Sequence, residues 1–263
     1  MSGDPLAQVE RTARALRAAD PKARWLLLSR FGFEFLGATV ARARPTEVAG
    51  LGTLRSAALA AVPVVALDRP ADVAGEPGDA AVDSIAVFAA ARAGLRGVVQ
   101  CVAAASLDAR FPVPSFALVR DWLRWHDEDP LRGLPAAQLG ARFPDLRGLA
   151  DADETTRVAQ RLGARVRSAV AVARRGPSGA TRAEFEAMRR LGGDLVVDAG
   201  AAERIAALHQ GLRGATLALV LDVSAQTPPA DPGSLAAAAG ELLPELAPLV
   251  TEVVAELDAE SAT

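Results

Sequence analysis

Tyrosine is absent from this chain of 263 residues, cysteine occurs once and histidine twice. Each scarcity excludes something. With Cys101 alone there is no internal disulfide and no cysteine-based metal cluster. Its neighbours Val98, Val99 and Val102 make it a small core residue of a buried strand. His126 and His209 have no histidine or cysteine partner at ligand spacing, so zinc is not expected and both read as surface or loop histidines. The missing tyrosine, the lone Lys22 and the abundant alanine reflect the codon bias of a GC-rich genome, not a function. A net charge of −3 leaves no electrostatic footprint for nucleic acid. Arg11, Arg14 and Arg17 fall at helical spacing and read as a solvated face. No window approaches the roughly 20 apolar residues of a membrane span. The opening "MSGDPLAQVERTARALR" has no apolar core of a signal peptide, and a cytoplasmic protein is expected.

Several motifs are missing as well. No Gly-x-Gly-x-x-Gly follows a strand, no Walker loop occurs, and Gly-x-Ser-x-Gly is absent. "GPSG" at 176–179 has the form of an anion cradle at a helix start, but a bare turn has the same form. "DEDP" at 127–130 reads as a solvated acidic loop, not a metal site.

What is present is an alternation of short apolar runs with helical segments. Asp4-Pro5 caps a first helix carrying Leu6, Val9, Ala13 and Leu16 on one face. Strands are expected at 24–29, 62–67, 96–102, 115–121, 169–174, 194–198 and 216–222. Helices are expected at 80–94, 153–168, 201–210 and from the end of a Pro-rich loop (224–234) to about Leu257. Thr181 and Glu184 have capping-box spacing for a further helix. This alternation predicts one α/β domain spanning 1–263: a twisted, mostly parallel central sheet with helices on both faces. Ligands of such sheets collect beyond the carboxyl ends of the strands.

Four stretches, in order and at agreeing spacing, resemble the trimeric purine nucleoside phosphorylase and methylthioadenosine phosphorylase family. They are "FPVPSFALVRDWL" (111–123), "DPLRGLPAAQLGARFPDL" (129–146), "RGPSGATRAEFEAMRRLGGDLVV" (175–197) and "AERIAALHQGLRGATLALVLD" (202–222). The resemblance implies the phosphorylase-type α/β fold, a trimer, no cofactor, and phosphate as co-substrate where the chain is active. It also implies a mobile gate at 224–234.

Carried across residue by residue, the resemblance implies a stripped site. Arg30 stands where a phosphate-binding serine belongs, and Leu51 near a phosphate histidine. Arg69 keeps an arginine, while Ala71 and Val73 replace a histidine and a tyrosine. Val102 replaces an asparagine, and Ala103 keeps an alanine. Ala180 takes the place of the purine-reading glutamate, with Gly179 for its aromatic neighbour. In "VDAG" (197–200) Asp198 replaces a ribose-facing methionine and Ala199 a phosphate-binding serine. Leu139 corresponds to a phenylalanine that reaches a neighbouring subunit's site. Asp222 takes the place of the contact to purine N7 and is the one candidate catalytic group. Arg30 and Arg69 are the candidate phosphate ligands; Ala103, Leu139, Ala180, Asp198 and Ala199 are the candidate nucleoside contacts.

Two functions stay open at this point. One is a non-catalytic or strongly impaired homologue that keeps fold and oligomer, as a homotrimer or beside an active paralogue. The other is a phosphorylase or nucleosidase with a rebuilt site, using Arg30, Arg69 and a protonated Asp222. Asp198 and Asp222 also have a plain reading as caps of the loops that follow their strands.

Overall fold

In a computed structural model of the chain, residues 4–29, 31, 36, 45–68, 80–125, 129–132, 136–141, 143–150, 152–174, 180–223 and 232–259 are described. The strands are β1 (Trp25–Ser29), β2 (Thr46–Val48), β3 (Gly52–Leu59), β4 (Val62–Asp68), β5 (Gly97–Ser106), β6 (Ser115–Arg124), β7 (Val166–Ala173), β8 (Leu195–Val197) and β9 (Arg213–Val223). The helices are α1 (Pro5–Ala19), α2 (Ala80–Arg92), α3 (Ala136–Leu139), α4 (Ala152–Leu162), α5 (Arg182–Arg190), α6 (Ala201–His209) and α7 (Pro232–Ala259).

All nine strands join one sheet in the order β2-β3-β4-β1-β5-β8-β7-β6-β9, and β9 also pairs with β5. Strands β5, β8, β7, β6 and β9 therefore close into a ring, and β2, β3, β4 and β1 form an open wing beside it. The central strand β5 serves both parts. Its residues 97–101 pair with β1, and Ala104–Ser106 pair with β8. Of the nine pairings, five are parallel and four antiparallel, so the sheet is mixed.

The period-two alternation of each strand assigns its side chains to layers. Trp25 and Leu27 of β1 face a core completed by Leu242, Leu246, Leu249, Val253 and Leu257 of α7. Leu26 and Leu28 face the opposite core with α1, α2 and α6. With both faces covered, β1 is buried at every position, which is why it reads as an unbroken apolar run. The cluster on the ring strands is rich in small side chains, Ala104, Ala117, Ala169, Ala171, Ala173 and Ala218, with a few valines and the larger Leu195 and Phe111. Pro244 and Pro248 fall inside α7 but on its exposed face, one turn apart, so the buried stripe is uninterrupted.

Two local differences from the expected elements have clear causes. The fourth helix ends at Leu162, not 168, because Gly163 turns the chain at φ +59°. Strand β7 then starts at Val166. The antiparallel pair β3–β4 is new to the structure; Ala60 and Ala61 make its turn at φ 49° and 65°. The gate-like loop falls largely outside the described residues, and α7 starts at Pro232.

Candidate functional site

The carboxyl end of β1, the middle of β5 and the turn that leads from β8 into α6 line a cavity of about 20 Å³. Its lining is Leu28, Ser29, Gln100, Cys101, Val102, Ala199 and Glu203. A space of that size holds about one water molecule.

Gly200 is the pivot of the turn. Its φ of +103° suits glycine alone, and an added Cβ would lie 2.9 Å from Trp122 Cη2 and 3.1 Å from Gln100 Nε2. Its N–H donates to Glu203 Oε2 at 3.0 Å, which places a carboxylate in the first turn of α6, where the helix dipole favours it. Its carbonyl accepts from Gln100 Nε2 at 2.9 Å, and the same nitrogen donates to Thr216 Oγ1 at 2.6 Å. One buried amide thus ties β5, β9 and the turn together. Ser29 Oγ, at the end of β1, accepts from Phe31 N at 3.0 Å. Burial pushes the Cys101 thiol up from 9.0 to about 12, so it stays protonated and is no nucleophile at neutral pH.

Of the sequence-predicted residues, Ala199 lines this cavity, and Ala103 and Asp198 adjoin lining positions in the chain. Asp198 is exposed. Asp222 lies level with Ala105 across the β5–β9 pairing, and its Oδ1 accepts from Val223 N at 2.7 Å. Ala180 is half-buried after β7. Leu139 is set apart from these. It is 6% exposed and packs in the helical layer with Phe88, Ala206 and Ala207. Leu51, at the phosphate-histidine position, is a core residue of the same layer. Arg30, Arg69, Ala71, Val73, His126 and Gly179 lie outside the described residues. His209, expected on the surface or in a loop, ends α6 partly buried with its ring edge-on to Phe88.

The groups that organise the cavity were not singled out in the sequence. Gln100 carried a usable signal: it is the one polar residue in the run "GVVQCVAAA", and a polar side chain in a buried strand needs partners. Glu203 carried another, three residues after a glycine at a helix start. Trp122 carried none.

A mixed sheet with a closed ring and helices on both faces is the fold of a class of proteins already solved. The chain matches a schistosoma purine nucleoside phosphorylase in complex with hypoxanthine at a TM-score of 0.80, with 17% identity over 96% of this chain and 98% of that one. The Schistosoma mansoni isoform 2 enzyme in complex with cytosine and ribose-1-phosphate matches at 0.79, with 16% identity over 97% and 98%. The profile of the Phosphorylase superfamily matches residues 36–256, and the chain belongs to that superfamily. Purine nucleoside phosphorylase 1 of Bacillus subtilis (strain 168) is 30% identical over 123 residues, 46% of this chain and 45% of its own. The Geobacillus stearothermophilus protein of the same name is 31% identical over 140 residues, 50% and 49% respectively. These matches span about half the length of each curated relative. The resemblance read from the sequence is thus to the relatives that comparison returns.

Among the described residues no helix is long and apolar enough to cross a membrane. Nor do they include a cluster of histidine, cysteine and acidic side chains suited to a metal ion.

Proposed function

We propose that this chain is a purine nucleoside phosphorylase homologue without effective phosphorolysis, which keeps the fold and the oligomer and acts as a cytoplasmic partner subunit of an active paralogue. One observation carries the reading: among the described residues the cavity wall offers no cation, and the hydroxyl and amide it does offer, Ser29 and Gln100, are engaged within the chain. Phosphorolysis needs donors for the phosphate and for the departing base, aimed where charge develops. A lost charge-assisted hydrogen bond costs roughly 1.5–3 kcal/mol, one to two powers of ten in rate. Ala199 and Ala180 have no side-chain donor or acceptor to supply. Trp122, Gln100 and Val102 also fill the space a side chain at position 200 would need.

The oligomer belongs to the same reading. Phe143, four residues after Leu139 in the same resembling segment (129–146), is 86% exposed in the single chain and is an aromatic that a neighbouring subunit would cover.

The test is incubation of the purified protein with inosine, adenosine and methylthioadenosine, with and without phosphate, followed by chromatography for free base. No release, with a stable oligomer by light scattering, is expected. Phosphate-dependent release would establish the rebuilt phosphorylase, and phosphate-independent release a nucleosidase.

A further inference from the structure

At the end of α6, His209 and Gln210 grip the short segment Leu139–Ala141 through backbone atoms. His209 Nε2 lies 2.7 Å from Ala141 O, and His209 Nδ1 lies 2.7 Å from Gln210 Nε2. Gln210 Nε2 also donates to Leu139 O. A carbonyl oxygen only accepts, so Nε2 of the ring carries the hydrogen. The amide nitrogen of Gln210 only donates, so Nδ1 is the bare nitrogen. The pattern is complete for one species, the neutral Nε2–H imidazole.

A second proton breaks it. Nδ1–H would then face another donor at 2.7 Å. Turning the Gln210 amide over would give Nδ1–H an acceptor, but it would set Oε1 against Leu139 O, acceptor against acceptor. Either way a hydrogen bond to the segment is lost. The ring has little freedom to move aside. Phe88 meets it edge-on at 5.9 Å, and a Cβ on Gly140, at φ +137°, would come within 2.9 Å of His209 Cε1.

The charged groups on the elements packed here are engaged with other partners. On α2, Arg92 donates to Gln138 O at 2.8 Å and lies 3.7 Å from Glu10 of α1. On the turn at Leu146–Ala150, Arg147 is engaged with Asp145. On α6, Glu203 is bonded at the helix start to Gly200 N. No carboxylate among the described residues is ion-paired with the ring.

We propose that His209 and Gln210 form a pH-sensitive latch, which holds Leu139–Ala141 on α6 while the imidazole is neutral and frees it on protonation. The latch holds while the ring carries one hydrogen, on Nε2, and opens when Nδ1 takes a second. Release uncovers Leu139, now buried against Phe88, Ala206 and Ala207.

Hydrogen exchange read by mass spectrometry on peptides covering 136–141, corrected for intrinsic rates, tests this at pH 8 and pH 5.5. The expected result for the wild type is exchange about fivefold faster, or more, at pH 5.5, the equivalent of one lost neutral hydrogen bond. In His209→Gln the pH difference should vanish. Equal protection of the wild type at both pH values, or an unchanged pH difference in the variant, would overturn the proposal. Nitrogen NMR of His209 in the wild type gives a readout that survives misfolding of the variant. The neutral ring at pH 8 must be the Nε2–H tautomer, and an Nδ1–H tautomer would also overturn it. None of these outcomes depends on whether a nucleoside is cleaved.

Discussion

Strands β1, β5 and β9 run parallel, and their two ends have been furnished very differently. Where they begin, Trp25, Gly97 and Arg213 stand side by side in register. Asp258 of α7 accepts from Trp25 Nε1 at 2.9 Å and pairs with Arg24 at 2.9 Å and Arg96 at 3.8 Å. Arg213 pairs with Glu154 of α4 at 2.9 Å and donates to Leu257 O. Toward the finishing end, at Ser29 of β1 and Gln100–Val102 of β5, the described lining carries one carboxylate, Glu203, and otherwise neutral groups. Charge at the starting end fixes helices α4 and α7 to the sheet. At the finishing end the described lining is mostly small or apolar. The fold needs the first set whatever the second set does.

Substitutions at matched positions break or sharpen this contrast. The largest effect is expected from adding a methyl group at the starting end. In Gly97→Ala the new Cβ would lie 2.2 Å from Trp25 Cζ3 and 2.6 Å from Arg213 O, and the backbone oxygen has no easy retreat. A loss of about 3 kcal/mol or more in urea unfolding is expected. Gly200→Ala at the finishing end meets side chains at 2.9 and 3.1 Å and a backbone strained for alanine, so about 1–3 kcal/mol is expected. A larger loss for Gly200→Ala than for Gly97→Ala would reverse the contrast.

Removing charge gives the next effect. Asp258→Ala strips the partner of Trp25, Arg24 and Arg96 together. A broken buried pair costs about 3–5 kcal/mol. Here the arginine side chains are 35% and 43% exposed, and water takes up part of the loss, so about 2 kcal/mol is expected. Glu203→Ala leaves Gly200 N without its acceptor and should cost about 1–2 kcal/mol. Thermal unfolding of the two variants side by side would show whether the starting end bears more of the stability.

The smallest effect is expected at Cys101. Its raised pKa of about 12 means that the folded protein binds the proton more tightly than the unfolded chain. Stability from this site is therefore full below the ordinary thiol range and falls as pH climbs toward 12. At pH 8 the native thiol should not react with iodoacetamide within hours, while the unfolded protein reacts in full. Rapid native modification would place a thiolate at the cavity wall.

The strands of the central sheet were legible because burial on both faces writes them as apolar runs, as at 25–29 and 62–68. The capping box at Thr181 and Glu184 was legible for a different reason, since its two hydrogen bonds fix a spacing of three. The β3–β4 turn was hidden. Ala60 and Ala61 occupy positive φ where glycine or asparagine would announce a turn. At the candidate site the sequence offered chiefly a set of losses read against a resemblance. Its working geometry was not legible, because Gln100, Thr216, Glu203 and Trp122 come from four separate elements, and only the closed ring brings them around Gly200.

The double membership of β5 has a consequence for how the molecule comes apart. Its first half pairs with β1 of the open wing and with β9 of the ring, its second half with β8 and β9 of the ring, and no break in the strand separates them. Neither part can melt while the other keeps β5 extended and paired, so heat or denaturant meets a single cooperative unit.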